Sequence, residues 1–545
     1  MSAASADAQP LPLSAPRVAW VPRHNPWLVA LTVTLATFME VLDTSIANVA
    51  LPHIAGGLGA SEDEATWVLT SYLVANAVIL PASAYLTTFI GRKRLYMICV
   101  MLFGISSALC GVAPSLPLLI FFRVLQGMGG GGLQPSEQAI LADTFPPQKR
   151  GQAFALYGFA VVVAPAIGPT LGGWITDNMS WRWCFYINVP VAILSLYLTN
   201  RMVDDPPHIV EQVKQARKRG LNLDFFGFGL LALGFGSLEF VMDKGQENDW
   251  FGSRIITTFA IVSVVALVTL FFWEMAQIRR KHRPILDLTL FLNRNFAVSF
   301  ILMFSLGVVL FGTTVMIPQF VQTLLGYTAE QAGLVISPGG VAVLIMMPIV
   351  GFLVSRVDPR WMIIYGFAMC SAALFTMLTL DLQVSYSYIA WLRVFQASGL
   401  AFLFIPINTL SYNGVPMTKN NDVSGLTNLA RNIGGSVGTA FFVTALARRS
   451  QFHQSRLGSV ITPGDSNLQS ILDRMGRYLM HGGRAANLAQ GRALAQGNLY
   501  GQLVRQSTML GYLDVIKVLA VIMVLLIPLV FLMKRPPQGG GHTGH

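Results

Sequence analysis

Apolar stretches of about 20 residues recur from one end of the chain to the other, each long enough to cross a bilayer as a helix. They fall at 26–51, 64–84, 95–113, 117–139, 153–176, 184–202, 223–243 and 253–275, then at 294–318, 330–354, 361–381, 385–412, 425–448 and 512–533. Alternation of polar and apolar residues at strand period is missing, so helices must satisfy the backbone within the hydrocarbon. The pattern predicts an all-α polytopic membrane protein with fourteen transmembrane helices. Composition agrees: 53% of residues are hydrophobic and 12% charged, against about 25% charged in a soluble domain.

Charge sets the expected orientation. Alternate loops carry "GRKR" (91–94), "QKR" (148–150), "KQARKRG" (214–220), "RRKHR" (279–283) and "SRVDPR" (355–360). That side holds about 22 Lys and Arg against about 3 in the short loops opposite, which makes it cytoplasmic by the positive-inside rule. The net charge of +11 is thus a topology signal, and nucleic acid is not an expected partner. The four cysteines, Cys99, Cys110, Cys184 and Cys370, sit in apolar segments without metal-ligand spacing and read as buried hydrophobes.

The resulting division is a cytoplasmic tail (1–25) without a signal-peptide pattern, a six-helix bundle (26–202), a cytoplasmic loop (203–222) and two additional spans (223–276). A second cytoplasmic loop (277–293), a second six-helix bundle (294–533) and a cytoplasmic tail (534–545) follow. The second bundle contains a polar extracytoplasmic segment, 449–511. There Leu468, Ile471, Leu472, Met475 and Leu479 repeat at helical spacing, and Leu488, Leu499 and Leu503 mark a second amphipathic stretch. Such a face either packs on the protein itself or docks an extracytoplasmic partner.

The two bundles are related. "RVLQGMG" (123–129) returns as "RVFQASG" (393–399), and "AYLTTFIGRKR" (84–94) as "GFLVSRVDPRW" (351–361). "VALP" (49–52) matches "VMIP" (315–318), and the Gly168/Gly172 pair matches Gly434/Gly438. Two-fold repeats of this kind are typical of secondary transporters, with the substrate site at the repeat interface.

Within the apolar runs, ionisable residues are costly and biased toward function: Glu40, Asp43, Arg123, Glu137 and Glu239, then Arg393 and Arg431. Gln126, Gln396, Asn408, Asn428 and Asn432 accompany them, with Asn48 near the outer end of the first span. Glu40 and Asp43, three residues apart, share a helix face. At 1.5 Å per residue Asp43 lies roughly 13 Å, and Arg123 about 9 Å, from the outer ends of their helices, so a contact is feasible. Burial and a like-charged neighbour favour the neutral form of a carboxylate and an Arg favours the charged one. An acid pair beside one Arg therefore meets the requirement for taking up and releasing a proton. The alternative is a structural ion pair between the first and fourth spans. On the repeat offset the two acids project onto about Leu306 and Val309, so the scaffold does not require them. Glu137 is a second candidate cation or proton site; Glu239, on the additional pair, reads as peripheral. "GMGGGG" (127–132) lacks the GxxxxGK[ST] pattern and reads as close helix packing. No nucleotide-binding or hydrolase motif is present, so neither ATP-driven transport nor an enzyme is expected, and no catalytic or metal-binding residues are assigned.

These residues resemble the major facilitator superfamily, and within it the fourteen-helix drug:proton antiporters of the EmrB/QacA type, over about 26–535. "LDTSIANVALP" (42–52) looks like that branch's first-helix signature, carrying its acid onto Asp43. "LIFFRVLQGMGGG" (119–131) is similar to the motif whose Arg, here Arg123, serves proton transfer. "APAIGPTLGG" (164–173) resembles the antiporter motif, with Gly168, Pro169, Gly172 and Gly173 in place and Ala164 for its first glycine; "WRWCFYINVP" (181–190) also looks like this branch. In the loop motif GxLaDRxGRK, Gly91, Arg92 and Lys93 remain and Arg356 holds the equivalent place in the repeat, but Thr88 replaces the Asp and Phe89 the Arg.

The resemblance implies two six-helix bundles plus two extra central helices. It also implies proton-coupled export of drugs or other hydrophobic or amphipathic compounds across the inner membrane by alternating access. The proton-motive force would drive it without a cofactor. Asp43, Glu40 and Arg123 would couple the proton, and Asn48, Gln126, Glu137, Gln396, Asn408 and Arg431 would be candidates for the cavity. A periplasmic membrane-fusion adaptor and an outer-membrane channel would be the partners. Export of an endogenous metabolite or lipid is the alternative, and a non-transporting receptor or scaffold a further one.

Overall fold

The computed structural model describes residues 22–218, 224–461 and 465–534, and among these the regular structure is helical throughout. In chain order the helices are α1 (Pro26–Leu58), α2 (Trp67–Ile90), α3 (Arg92–Val112), α4 (Leu116–Gly130), α5 (Leu133–Thr144) and α6 (Arg150–Asn178). Then follow α7 (Asn188–Met202), α8 (Pro207–Lys218), α9 (Phe225–Lys244), α10 (Arg254–Arg279), α11 (Arg294–Leu325) and α12 (Ala329–Leu353). The last are α13 (Pro359–Thr376), α14 (Tyr386–Ser411), α15 (Asn420–Val460), α16 (Ser466–His481) and α17 (Leu488–Val530). Two four-residue helices, Glu62–Ala65 and Trp183–Tyr186, precede α2 and α7.

Local chemistry fixes the helix starts. Asn25 accepts the Trp27 amide ahead of Pro26, Asp224 accepts the Gly227 amide, and Thr328 and Gln331 form a reciprocal capping box. Both α1 and α11 end on a left-handed glycine, Gly59 (φ 65°) and Gly326 (φ 73°), a further landmark of the repeat.

Twelve described helices are long and apolar enough to span a bilayer, α4 and α5 counting as one, and α6 makes thirteen. α6 bends by 44° between Pro165 and Ile167. Pro169 lacks the N–H that would reach the Pro165 carbonyl, and Ser45 of α1 donates to that carbonyl instead at 3.3 Å. The remaining expected span falls in α15, whose polar composition keeps it below that standard although its first three turns are buried in the bundle.

Small residues bring the helices together. A Cβ at Gly168 would overlap Ser45, and one at Gly172 would approach the Ile46 Cα at 3.2 Å, so α6 lies tight on α1; Gly173 faces open space. The repeat does the same, since a Cβ at Gly434 or Gly438 of α15 would overlap the carbonyls of Phe304 or Val308 on α11. The glycine run 127–132 presses α4 onto α2 and α3, as at Gly129, where a Cβ would lie 2.7 Å from the Phe103 nitrogen.

The halves meet along two seams, α6 on α12 and α2 on α15, and α9 of the additional pair packs over the second, against both helices. Residues 449–511, expected as a loop, are mostly helix: α15 runs on to Val460 and α17 begins at Leu488. At 1.5 Å per residue each of these helices is about 60 Å long, twice the hydrocarbon thickness. Asp514 ties them together through Arg449 (2.5 Å) and His453 (2.8 Å). The first amphipathic stretch is α16, and its Leu472 and Leu479 pack on Ala495 of α17 with Leu468, Met475 and Leu499 against them, so the chain itself covers most of that face and leaves Ile471 exposed.

Candidate functional site

Asp43 is buried midway along α1, and its carboxylate is fully engaged. Oδ2 takes Nη1 of Arg123 (α4) at 2.6 Å; Oδ1 takes Nε2 of Gln126 at 3.0 Å and Nδ2 of Asn188 (α7) at 2.6 Å. Arg123 also donates to Gln126 Oε1 (2.8 Å) and to the Val68 carbonyl (3.0 Å), with its guanidinium 4.4 Å from the Tyr72 ring centre. Asn188 shares its amide with Ser107 (3.0 Å), itself bonded to the Phe185 carbonyl (2.8 Å). The paired charges thus have neither water nor lipid in reach, which only a nearly complete hydrogen-bond set sustains.

The repeat builds the same frame without the acid. Arg393 donates to Gln396 Oε1 at 2.8 Å, as Arg123 does to Gln126, but its other partners are the hydroxyls of Thr313 (3.1 Å) and Thr314 (3.2 Å). The residue facing Arg393 is therefore Thr313, one helical turn from the expected Val309. The register between α11 and α14 follows the 270-residue offset of the two arginines, not that of the proline landmarks.

Glu40, one turn before Asp43, faces elsewhere. It accepts from the Tyr72 hydroxyl (2.9 Å), Asn76 (3.3 Å) and Gln134 Nε2 (2.6 Å). The Gln134 carbonyl oxygen in turn takes Nη2 of Arg431, from the second half. Arg431 Nη1 donates to Tyr157 (2.7 Å), which donates to Asn428 (2.7 Å). Asn428 donates to Gln138 Oε1 (2.9 Å), and Gln138 to Asn408 (3.0 Å). One polar chain therefore runs from Glu40 across the interface of the halves.

Glu40 also lines a cavity of about 370 Å³ walled by α1, α2, α5, α9, α11 and α15. Its lining reaches from Glu40 to Gln246 and Glu247, beyond the end of α9 opposite the basic loops. Toward the basic loops the halves are closed. Asp143 of α5 takes Arg92 Nη1 at 2.5 Å and, from the other half, Asn420 at 2.6 Å, with His208 Nε2 3.3 Å away. Asp143 thereby supplies an acid near the site where Thr88 replaces one; Thr88 only turns its hydroxyl to the Tyr85 carbonyl. Gly91, at φ 92°, leaves room for Asp205, which caps the Lys93 amide at 2.9 Å.

Other expected residues are more dispersed. Gln126 and Gln396 serve the two arginines, and Asn408 and Arg431 the inter-half chain. Glu137 accepts from Thr34 (2.6 Å) and is not among the residues lining the cavity. Asn48 is exposed and away from it, and Arg356 lies exposed over the Phe352 ring at 4.0 Å. Glu239, expected to be peripheral, is buried in the cavity wall and takes the Ser436 hydroxyl at 2.6 Å. Asn188, Gln134, Gln138, Tyr72 and Tyr157 were not expected at the site. The signal for the first was an amide just ahead of Pro190 in an apolar span.

Residues 33–439 match the family model described as Major Facilitator Superfamily. The chain belongs to this superfamily. Among curated relatives, it is 35% identical over 526 residues to the multidrug export protein EmrB of Escherichia coli (strain K12), covering 96% of this chain and 98% of that one. It is 34% identical over 534 residues to the fatty acid resistance protein FarB of Neisseria gonorrhoeae, covering 97% and 99%. Two solved superfamily folds superpose on it at low identity. The human organic anion transporter MFSD10 gives a TM-score of 0.56 at 12% identity, covering 93% of this chain and 100% of that one. The proton:xylose symporter XylE gives 0.54 at 15%, covering 92% and 96%. In this superfamily member α9 lies over one seam of the bundle, and α10 packs on α9.

Proposed function

We propose that the chain is a proton-coupled exporter of hydrophobic or amphipathic small molecules, acting in the inner membrane by alternating access with both termini in the cytoplasm. The observation that carries the reading is the Asp43–Arg123 pair, buried in one half with the Asp43 carboxylate accepting from three side chains, while its repeat keeps the arginine and lacks the acid. A scaffold that closes around Arg393 with two hydroxyls has no structural need for Asp43. Similarity to EmrB and FarB supports export as the direction of transport.

The chemistry follows from the contacts. Adding a proton to Asp43 removes the charge that Arg123, Gln126 and Asn188 converge on and leaves Arg123 a buried, unpaired cation, which favours rearrangement of α1 against α4 and α7. Neutralising Glu40 weakens its bond to Gln134, and with it the link through Arg431 to the second half. Proton occupancy in the first half thus biases the contact between halves, which is what exchange of a proton for a substrate requires. A periplasmic adaptor and an outer-membrane channel are the proposed partners, reached by the long α15–α17 extension. The test is uptake of a fluorescent drug into inside-out vesicles energised by a pH gradient. Asp43→Asn should insert normally and lose gradient-driven uptake, and undiminished uptake by that variant would overturn the reading.

A further inference from the structure

Four acidic and four amide side chains line the cavity, and of these Glu239 and Asp243 belong to α9 of the additional helix pair, with Gln246 and Glu247 just beyond its end. Glu239 sits 15 residues into α9, at a depth where an ionisable group is costly unless it is used. Asp43 has three side-chain donors and Glu40 has three; among the described residues Glu239 has one, the Ser436 hydroxyl. The basic groups in the vicinity are already engaged. Lys244 holds Glu247 at 2.6 Å, and Arg431 is bonded to Tyr157 and Gln134. The cavity therefore presents carboxylates with spare acceptor capacity and no free counter-charge on its lining. The rest of its wall is apolar and aromatic, including Leu73, Met242, Phe311 and Val443. At about 370 Å³ it has the size and mixed lining of a small-molecule site.

We propose that this cavity binds amphipathic organic cations, with Glu239 of the additional helix pair as a specificity-determining contact opposite the Glu40 wall. The additional pair then has a task beyond covering a seam: α9 completes the ligand site with a charge that the two six-helix bundles lack at that position. The inference rests on the export reading for its context and adds the charge sign of the cargo. Carboxylate-bearing amphiphiles are disfavoured by the acids of the lining, Glu40, Glu239, Asp243 and Glu247.

The test uses two probes of one shape and opposite charge, tetraphenylphosphonium and tetraphenylborate, bound to the detergent-solubilised full chain. The wild type should prefer the phosphonium. Glu239→Gln keeps an oxygen for Ser436 and should weaken phosphonium binding roughly tenfold or more while leaving borate binding undiminished or stronger, as expected for loss of a desolvated charge contact. Glu239→Asp should retain most of the preference. Met242→Trp, one turn away, should block both probes by filling the cavity. Equal affinity of the wild type for the two probes, or an unaltered preference in Glu239→Gln, would overturn the inference. Either result leaves the export reading standing if Asp43→Asn still loses gradient-driven uptake. Loss of the export reading would instead appear as intact uptake in Asp43→Asn, whatever the probes show.

Discussion

At the scale of single residues, the two acids of α1 divide their labour by the direction they face. Asp43 is sealed among Arg123, Gln126 and Asn188, whereas Glu40 touches both the cavity and the chain to Arg431. Asn188→Ala should therefore slow gradient-driven uptake while leaving equilibrium binding of a substrate within about threefold, because it touches the ion pair and not the cavity wall. A drop in binding equal to the drop in transport would contradict that division. A carboxylate placed opposite Arg393 by Thr313→Asp should not rescue Asp43→Asn, since no counterpart of Asn188 is bonded there; recovered uptake in the double variant would mean that any buried Asp–Arg pair suffices. The Asp43–Arg123 contact was legible from helix depth alone. Asn188, Gln134 and Tyr157 were not, because which amide or hydroxyl completes a buried pair depends on the rotation of helices far apart in sequence. Glu239 was misplaced for a related reason: hydropathy shows that an additional pair exists but not which seam it lies against.

At the scale of helices, glycine decides how close α1 and α6 approach. Gly168→Val would drive a side chain into Ser45, at a typical overpacking cost of about 1–3 kcal/mol, and should lower the melting temperature clearly. Gly173→Val, facing open space, should melt close to the wild type. Thermal unfolding of the purified variants compares the two, and equal losses would refute the packing assignment. Both glycines belong to one motif, so the sequence marks the helix without saying which glycine bears the contact. The long helices α15 and α17 were the least legible elements. Their polar outer turns read as a loop because hydropathy registers the membrane and not the helix, although the spacing of Leu468, Leu472, Met475 and Leu479 did mark α16, and Leu488, Leu499 and Leu503 the first turns of α17.

On the basic face, the segment joining α10 to α11 is held by Asp287 and Lys419, 2.6 Å apart. Burial pushes the Asp287 carboxyl up, but the hydrogen bonds from Lys419 and Thr289 and the lysine's charge outweigh it and hold the group below the usual carboxylate range. Its stabilisation is then complete above the ordinary carboxylate range and is lost as pH falls through the lowered value. Asp287→Asn should accordingly melt below the wild type at neutral pH, with the difference closing in strong acid; a gap that persists there would mean the contact acts by shape alone.

For the whole molecule, the two halves are closed at the basic face by Asp143–Asn420 and Gln138–Asn408, while the cavity extends toward the other face. Alternating access requires that closure to break. A Cβ on Gly351 would lie 2.9 Å from that of Ala155 across the α6–α12 seam, so an Ala155→Cys/Gly351→Cys pair reaches the roughly 3.5–4.5 Å of a disulfide once the two helices part slightly, and its formation should arrest transport until reduced. The four native cysteines are buried and should not interfere. Transport by the fully cross-linked protein would show that this seam does not open. The helical architecture was legible from hydropathy and repeat; the state in which it is caught was not, because closure rests on a few amide and carboxylate contacts between distant helices. The central claim, that Asp43 carries the proton exchanged for substrate, is met most directly by proton release from the purified protein in weakly buffered detergent solution on adding tetraphenylphosphonium. The account predicts a substrate-dependent release from the wild type that is absent in Asp43→Asn although the compound still binds; undiminished release from Asp43→Asn would contradict it.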